Sequence, residues 1–424
     1  MRGTPNGHFL YVGPDTGGIS GFSINQSTGA LTAIPGSPFT AGSSPSVGIA
    51  DPSSSFLYVP NNSAGEVPLF ILAIDPSTGA LTQTGAQGLV GAGGIWLSFT
   101  TGTAAVEYSP TFAYATNSGS SSISELSIAS GGLTVTGTLT DTNGPQASVA
   151  TANGAFLYTG NSNGSISEYS VGKTGSLKKI TGSPIKGLTN PVALVFSPYY
   201  DWLYALDPAA ALIDVYTANP KTGALTFLTS TGDANNAQAA AVDPFGQFTL
   251  VVNTVSDEIG IGIPGSGFVG TAPTGSNPVA ITIDPTSQFV YVANSGDGTV
   301  SAYNLTLASP YLTQIGTAVP AGTAPSAVVS GQYLYVANNG SDNITAYSIN
   351  ALTGALTPIG VAFPTVTGPS ALAVSNDGKY LYATGANAGE LQQFTINSDG
   401  TLTLANSTGL GTAPTSITTI GTYK

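Results

Sequence analysis

The sequence contains no cysteine, a single histidine, a single methionine and very little charge: 8 Lys plus Arg and 21 Asp plus Glu in 424 residues. Without cysteine there is no disulfide, no thiol nucleophile and no Cys-ligated zinc. Charged residues are 7% of the chain, against roughly 25% of an ordinary soluble domain. The few cations are scattered and the net charge is −13, so no basic stripe can neutralise phosphates, and nucleic acid and anionic membrane surfaces are excluded as partners. No apolar run approaches the roughly 18 residues of a spanning helix, which predicts no membrane span. The opening MRGTPNGHFLYVG lacks a basic stretch followed by an apolar core and does not read as an export signal. Sustained apolar spacing at 3.6 residues is missing too, and 55 Gly and 28 Pro weaken helix interiors.

What is present is apolar area in short strands. Hydrophobic residues make up 41% of the chain, enough to oppose disorder. An aromatic-aliphatic-Tyr-aliphatic strand recurs at Phe9, Phe56, Phe112, Phe156, Trp202, Phe248, Phe289, Tyr333 and Tyr380, at intervals of 41 to 56 residues. That is the period of a propeller blade of four antiparallel strands. Within a unit, a Pro opens a small-residue strand (Pro45, Pro145, Pro191, Pro278, Pro325, Pro369). A turn, the aromatic anchor strand, an Asn/Gly turn and a third strand follow. The unit ends in a hairpin written NQSTGAL, DPSTGAL, NPKTGAL or NALTGAL, where Gly supplies the positive φ of the turn.

The expected architecture is an all-β, single-domain propeller over residues 1–424 with nine blades, or eight plus a rearranged segment. The third unit, with an insertion near Leu89 to Thr100, and the sixth, where GIGIPGSGFVG replaces the usual hairpin, depart from the pattern. After Pro414 the chain reads as a first strand and stops, whereas its beginning supplies an anchor strand without one. A seam blade shared by the two termini follows, with Thr415, Ile417 and Ile420 paired against the edge at Phe9 and Tyr11. The same pairing made between chains would produce a fibre.

The segments YVANSGDGTVSAYNL, YVANNGSDNITAYSI and TGALTPIG resemble the YVTN-type repeats of the lactonase-like β-propeller family. The resemblance covers nearly the whole chain and implies the propeller fold. It also implies a His after the blade-opening Pro and Arg and His residues at the channel mouth. Here those positions hold Ser46, Gln146, Val192, Val279, Ser326, Ser370 and Thr415, so no catalytic residue is carried over.

His8 is the single histidine, so no second imidazole is available for acid-base work, and beside a turn it reads as an exposed turn residue. Asp51, Asp75, Asp243 and Asp284 stand before Pro in turns and read as turn caps. Among the acidic residues of the Asn/Gly turns, Asp297 in NSGDG and Asp342 in NNGSDN are the candidate Ca²⁺ ligands, although D-x-D-x-D spacing is absent. Asp201 and Asp207 flank Trp202 and Tyr204 in YYDWLYALDP, an arrangement that suits either a sugar platform or packing between blades. Trp96 has no counterpart in the other units and is the expected surface contact.

A surface poor in charge docks at little desolvation cost. On that ground the expected function is a non-catalytic, extracellular or cell-surface structural protein that assembles with itself into a filament or surface layer. The alternatives are a propeller that binds glycans or proteins, with Ca²⁺ a possible cofactor, and a lactonase-like hydrolase.

Overall fold

A computed structural model describes residues 2–3, 7–12, 18–26, 28–40, 49–50, 56–60, 67–90, 108–129, 132–197, 200–232, 236–243, 246–264, 267–375 and 377–423. Among them the chain is β throughout apart from one 3-10 turn at Ser118–Ser120. Nine antiparallel sheets form, each with at least four strands, and every anchor found in the sequence lies in one of them or, at Phe248, directly before its strand. Packing divides the chain into two compact units, residues 1–107 with 423–424, and residues 108–422.

The larger unit holds seven of the sheets. Numbered along the chain from the third to the ninth, their anchor strands begin at Tyr108, Phe156, Trp202, Thr249, Phe289, Tyr333 and Tyr380. In the seventh sheet every residue of Phe289–Asn294 is buried, whereas in the fifth sheet the outer strand Leu225–Gly232 is largely exposed beyond its first residue. An anchor strand is covered on both faces by neighbouring sheets, which is why its sequence is continuously apolar rather than alternating. Its tyrosine is fully buried in several sheets, as at Tyr114, Tyr158, Tyr291 and Tyr335. Each such ring removes about 150–250 Å² from water, worth several kcal/mol at roughly 25 cal/mol per Å².

The TGAL hairpins join one sheet to the next. Tyr114, Tyr158, Tyr291 and Tyr335 donate their hydroxyls to the carbonyls of Gly175, Gly223, Gly354 and Gly400, at 2.7, 2.9, 3.0 and 3.0 Å. The same glycines press on the aromatic that opens the anchor strand. A Cβ on Gly223 would stand 2.3 Å from Phe156, and φ there is +73°. Only glycine meets both requirements.

The innermost strands of successive sheets, from Pro145–Ala150 to Pro369–Val374, lie side by side around this unit. The circle closes through Pro414–Tyr423, which pairs with Tyr108–Asn117 as the innermost strand of the third sheet. On its two sides, Ser370 Oγ donates to the Pro414 carbonyl at 2.7 Å, and Ser148 Oγ meets Ser416 Oγ and Thr418 Oγ1 at 2.7 and 2.8 Å. The ring is therefore seven separate sheets held by packing and side-chain hydrogen bonds.

This corrects the expected seam and the expected ring of nine. The third unit has no opening strand of its own among the described residues, and the C-terminal strand fills that place, anchored by Thr116 Oγ1 to Thr415 Oγ1 at 3.1 Å. Ile417 and Ile420 are buried in this unit, packed among Ala113, Leu126 and Leu391, and among Tyr114, Ile123 and Leu157 respectively. The chain's beginning does supply a first strand, Arg2–Gly3, paired with Phe9–Val12.

The smaller unit contains the first two sheets, built from strands within residues 2–33 and 49–90. It has its own core, in which Phe9 and Tyr11 pack with Leu57, Val59 and Leu72. Tyr11 donates to the Gly79 carbonyl at 2.7 Å, the same lock found between sheets of the larger unit.

Candidate functional site

In the ring, the residue that follows the opening Pro or its equivalent sits where the inner strand breaks register with the anchor strand. The irregularity falls at Gln146, Gln238, Val279, Ser326 and Ser370. A bulge re-aims one side chain and is common beside functional sites. At Gln146, Ser326 and Ser370 the re-aimed side chain braces the entrance of the next inner strand. Gln146 Nε2 donates to Asn190 Oδ1 at 2.7 Å and to the Pro191 carbonyl at 3.0 Å. Ser326 Oγ donates to the Pro369 carbonyl at 2.6 Å, as Ser370 does to Pro414.

Behind this belt stands a set of asparagines at the ends of the anchor strands. Asn117, Asn161, Asn294 and Asn338 turn their Nδ2 groups onto hydroxyl or amide oxygens of the third strand. Asn338 Oδ1 also accepts from the Gly322 amide at 2.9 Å, tying down the loop that enters the inner strand of its own sheet. The signal was available in the sequence, because each of these residues lies five places after its anchor aromatic. Reading the strand only as packing misses it.

Carboxylates occupy the same end. Buried Asp207 accepts from the amides of Thr189 and Asn190, Asp257 from Asn277 at 2.7 Å, Asp297 from Ser276 at 2.6 Å and Asp342 from Gly368 at 2.7 Å. Asp297 and Asp342, the Ca²⁺ candidates, are exposed and belong to adjacent sheets. Each uses one oxygen to hold a loop. No group of three or more His, Asp or Glu side chains among the described residues is placed to hold a metal. The inner strands of the ring up to Thr422 carry no Asp, Glu, Lys, Arg or His at all.

A buried charge, Asp141, lies between the third and fourth sheets, with the hydroxyls of Ser167 and Tyr169 as donors and Lys179 Nζ at 3.5 Å. Burial pushes its carboxyl up, but Tyr169, Ser167, the Asn143 amide and the Lys179 ammonium together hold it below the usual carboxylate range. Glu168, which caps the Leu225 amide of the next sheet at 2.8 Å, is raised by burial against its hydrogen bonds from Leu225 and Ser183.

The remaining candidates are dispersed. His8 is exposed before the Phe9 strand. Asp207 ends the strand that Trp202 begins, so the carboxylate and the indole do not form the sugar platform. Trp202 instead stacks on Tyr200 with centroids 4.6 Å apart. Trp96, Asp15, Asp51 and Ser46 lie outside the described residues.

The chain matches the family described as lactonase, 7-bladed beta-propeller, over residues 1–163, 111–242 and 263–367. A ring of seven sheets, each of four or five strands, together with this match places the protein in one class, and the chain belongs to that lactonase propeller family. Among solved structures it is similar to a candidate 6-phosphogluconolactonase from Bacteroides fragilis, with 18% identity, 73% of this chain and 98% of that one covered and a TM-score of 0.64. A second from Bacteroides uniformis gives 18%, 74%, 100% and 0.63. A protein from Lactobacillus plantarum gives 16%, 74%, 100% and 0.64. At these identities the likeness shows the fold. No curated protein matches the chain. The shares covered are close to that taken by residues 108–422.

These findings correct the expectation of a non-catalytic, self-assembling structural protein. The family is that of lactonases. The side chains nominated for self-association, Phe9, Tyr11, Ile417 and Ile420, are buried core residues, and Thr415 is bonded within its own chain. No helix among the described residues is long and apolar enough to cross a membrane.

Proposed function

We propose that the larger unit is a lactone hydrolase for uncharged lactones, acting at the ring's mouth. The observation that carries this reading is a lactonase-family ring whose inner strands bear no ionisable side chain. Recognition of a phosphorylated lactone rests on guanidinium or ammonium groups, and all seven lysines lie off the inner strands. A net charge of −13 repels an anionic substrate, leaves a neutral lactone unaffected and favours departure of the hydroxy-acid product. Ring opening requires a base to take a proton from the attacking water. Asp297 and Asp342 are the carboxylates best suited to that task, being exposed at the mouth's end and held by one amide each.

The test is hydrolysis of an unphosphorylated δ-lactone and of its phosphate ester. The neutral substrate is expected to be turned over and the ester not. Asp297→Asn combined with Asp342→Asn is expected to lower kcat by about 10²-fold or more. No acceleration of any neutral lactone overturns the proposal.

A further inference from the structure

The fifth and sixth sheets line a half-open pocket of about 470 Å³, walled mainly by apolar side chains including Trp202, Ile213, Val215, Leu228 and Phe268. Its origin lies in one hairpin. Six residues, 219–224, separate the third and fourth strands of the fifth sheet, and six, 350–355, do so in the eighth. In the sixth sheet only three, 264–266, intervene. The hairpin is three residues shorter than those that carry the acceptor carbonyls Gly223 and Gly354.

The tyrosine concerned is Tyr204. It is 4% exposed, lines the cavity, and its hydroxyl has no hydrogen-bond partner; Thr249, 6% exposed on the opposite sheet, is in the same state. Burial pushes the Tyr204 hydroxyl up to about 12, with Thr249 working against it, yet the two do not meet at hydrogen-bonding geometry. An orphaned buried hydroxyl costs about 1–3 kcal/mol, and a volume of this size is typical of small-molecule sites.

We infer that this pocket between two sheets binds an uncharged, largely apolar small molecule carrying one hydrogen-bond-accepting oxygen, which accepts from Tyr204 as the Gly223 carbonyl does from Tyr158. The wall offers aromatic and aliphatic surface and no Lys or Arg, so a carboxylate or phosphate finds no counter-charge. Tyr204 and Thr249 supply donors to a carbonyl or ether oxygen, and Trp202 supplies an aromatic face at the wall. The site is separate from the ring's mouth, and the inference does not rest on the hydrolase reading.

Three probes of one shape test it by calorimetry and by quenching of Trp202 in a Trp96→Phe background: 2-acetylnaphthalene, 2-ethylnaphthalene and 2-naphthoate. The ketone is expected to bind about three- to tenfold more tightly than the ethyl compound, the value of one hydrogen bond, and the carboxylate not to bind. Tyr204→Phe is expected to keep ethylnaphthalene binding and to bring the ratio of ketone to ethyl affinities close to one. Val215→Phe, which fills the space, is expected to abolish binding of both, with thermal unfolding confirming that each variant is folded. Failure of both neutral probes to bind, or unchanged binding in the Val215→Phe protein, overturns the inference. So does a ratio that Tyr204→Phe leaves unaltered.

Discussion

Single hydroxyls decide how neighbouring sheets are joined. Tyr158 and Tyr204 occupy equivalent places in consecutive sheets, but Tyr158 donates to Gly223 at 2.9 Å whereas Tyr204 has no acceptor. Tyr158→Phe is expected to cost about 0.5–1.5 kcal/mol, and Tyr204→Phe to be neutral or stabilising, because removing an unsatisfied group returns its desolvation penalty. Urea midpoints measured on both variants check this, and a larger loss for Tyr204→Phe contradicts it. Two buried carboxyls set opposite pH slopes. Asp141 is held below its unfolded value of 3.8, so its contribution is present above that value and is lost as pH falls through the folded one. Glu168 is raised above 4.5, so its contribution is present at low pH and is lost as pH rises through the folded value. Thermal midpoints between about pH 2 and pH 6 should show a shallower acid-side fall in Asp141→Asn. In Glu168→Gln the decline as pH rises should be removed.

At the scale of the strand and hairpin, the period of the anchors marks every sheet, and the TGAL signature marks the hairpins that join them, because both are local patterns of apolar spacing and turn chemistry. The sixth unit's altered hairpin was visible as GIGIPGSGFVG. That it opens a cavity was not, since the cavity depends on a tyrosine some 60 residues earlier losing its acceptor, a separation set by the lock between consecutive sheets. The place of ring closure was hidden for a related reason. An inner strand such as PTSITTIG looks alike whichever edge it joins, and the choice of edge is non-local. The missing opening strand of the third unit was the clue, there being no Pro-led small-residue run before Phe112 like the one before Phe156. The mouth carboxylates were legible as turn residues but not as loop clamps, because their amide partners lie in a different loop. Replacing residues 264–266 with the six-residue segment 219–224 is expected to give Tyr204 an acceptor, raise stability by about 1 kcal/mol and abolish binding of the naphthyl ketone. Retained binding in that graft contradicts the origin assigned to the cavity.

For the molecule as a whole, low charge and a closed ring belong together. With few ionic contacts, the ring of residues 108–422 depends on burial, on the tyrosine-to-glycine locks and on a C-terminal strand that completes the third sheet, and the proposed chemistry at its mouth needs that closure. The chain has no cysteine, so Thr116→Cys with Thr415→Cys creates a protein with two thiols, at positions whose hydroxyl oxygens are 3.1 Å apart. Mass spectrometry and non-reducing electrophoresis after mild oxidation give the most direct test. The account predicts an intramolecular disulfide in the folded monomer, closing a loop of about 300 residues and raising stability by up to about 5 kcal/mol. Two free thiols after oxidation, or cross-links formed only between chains, would contradict it.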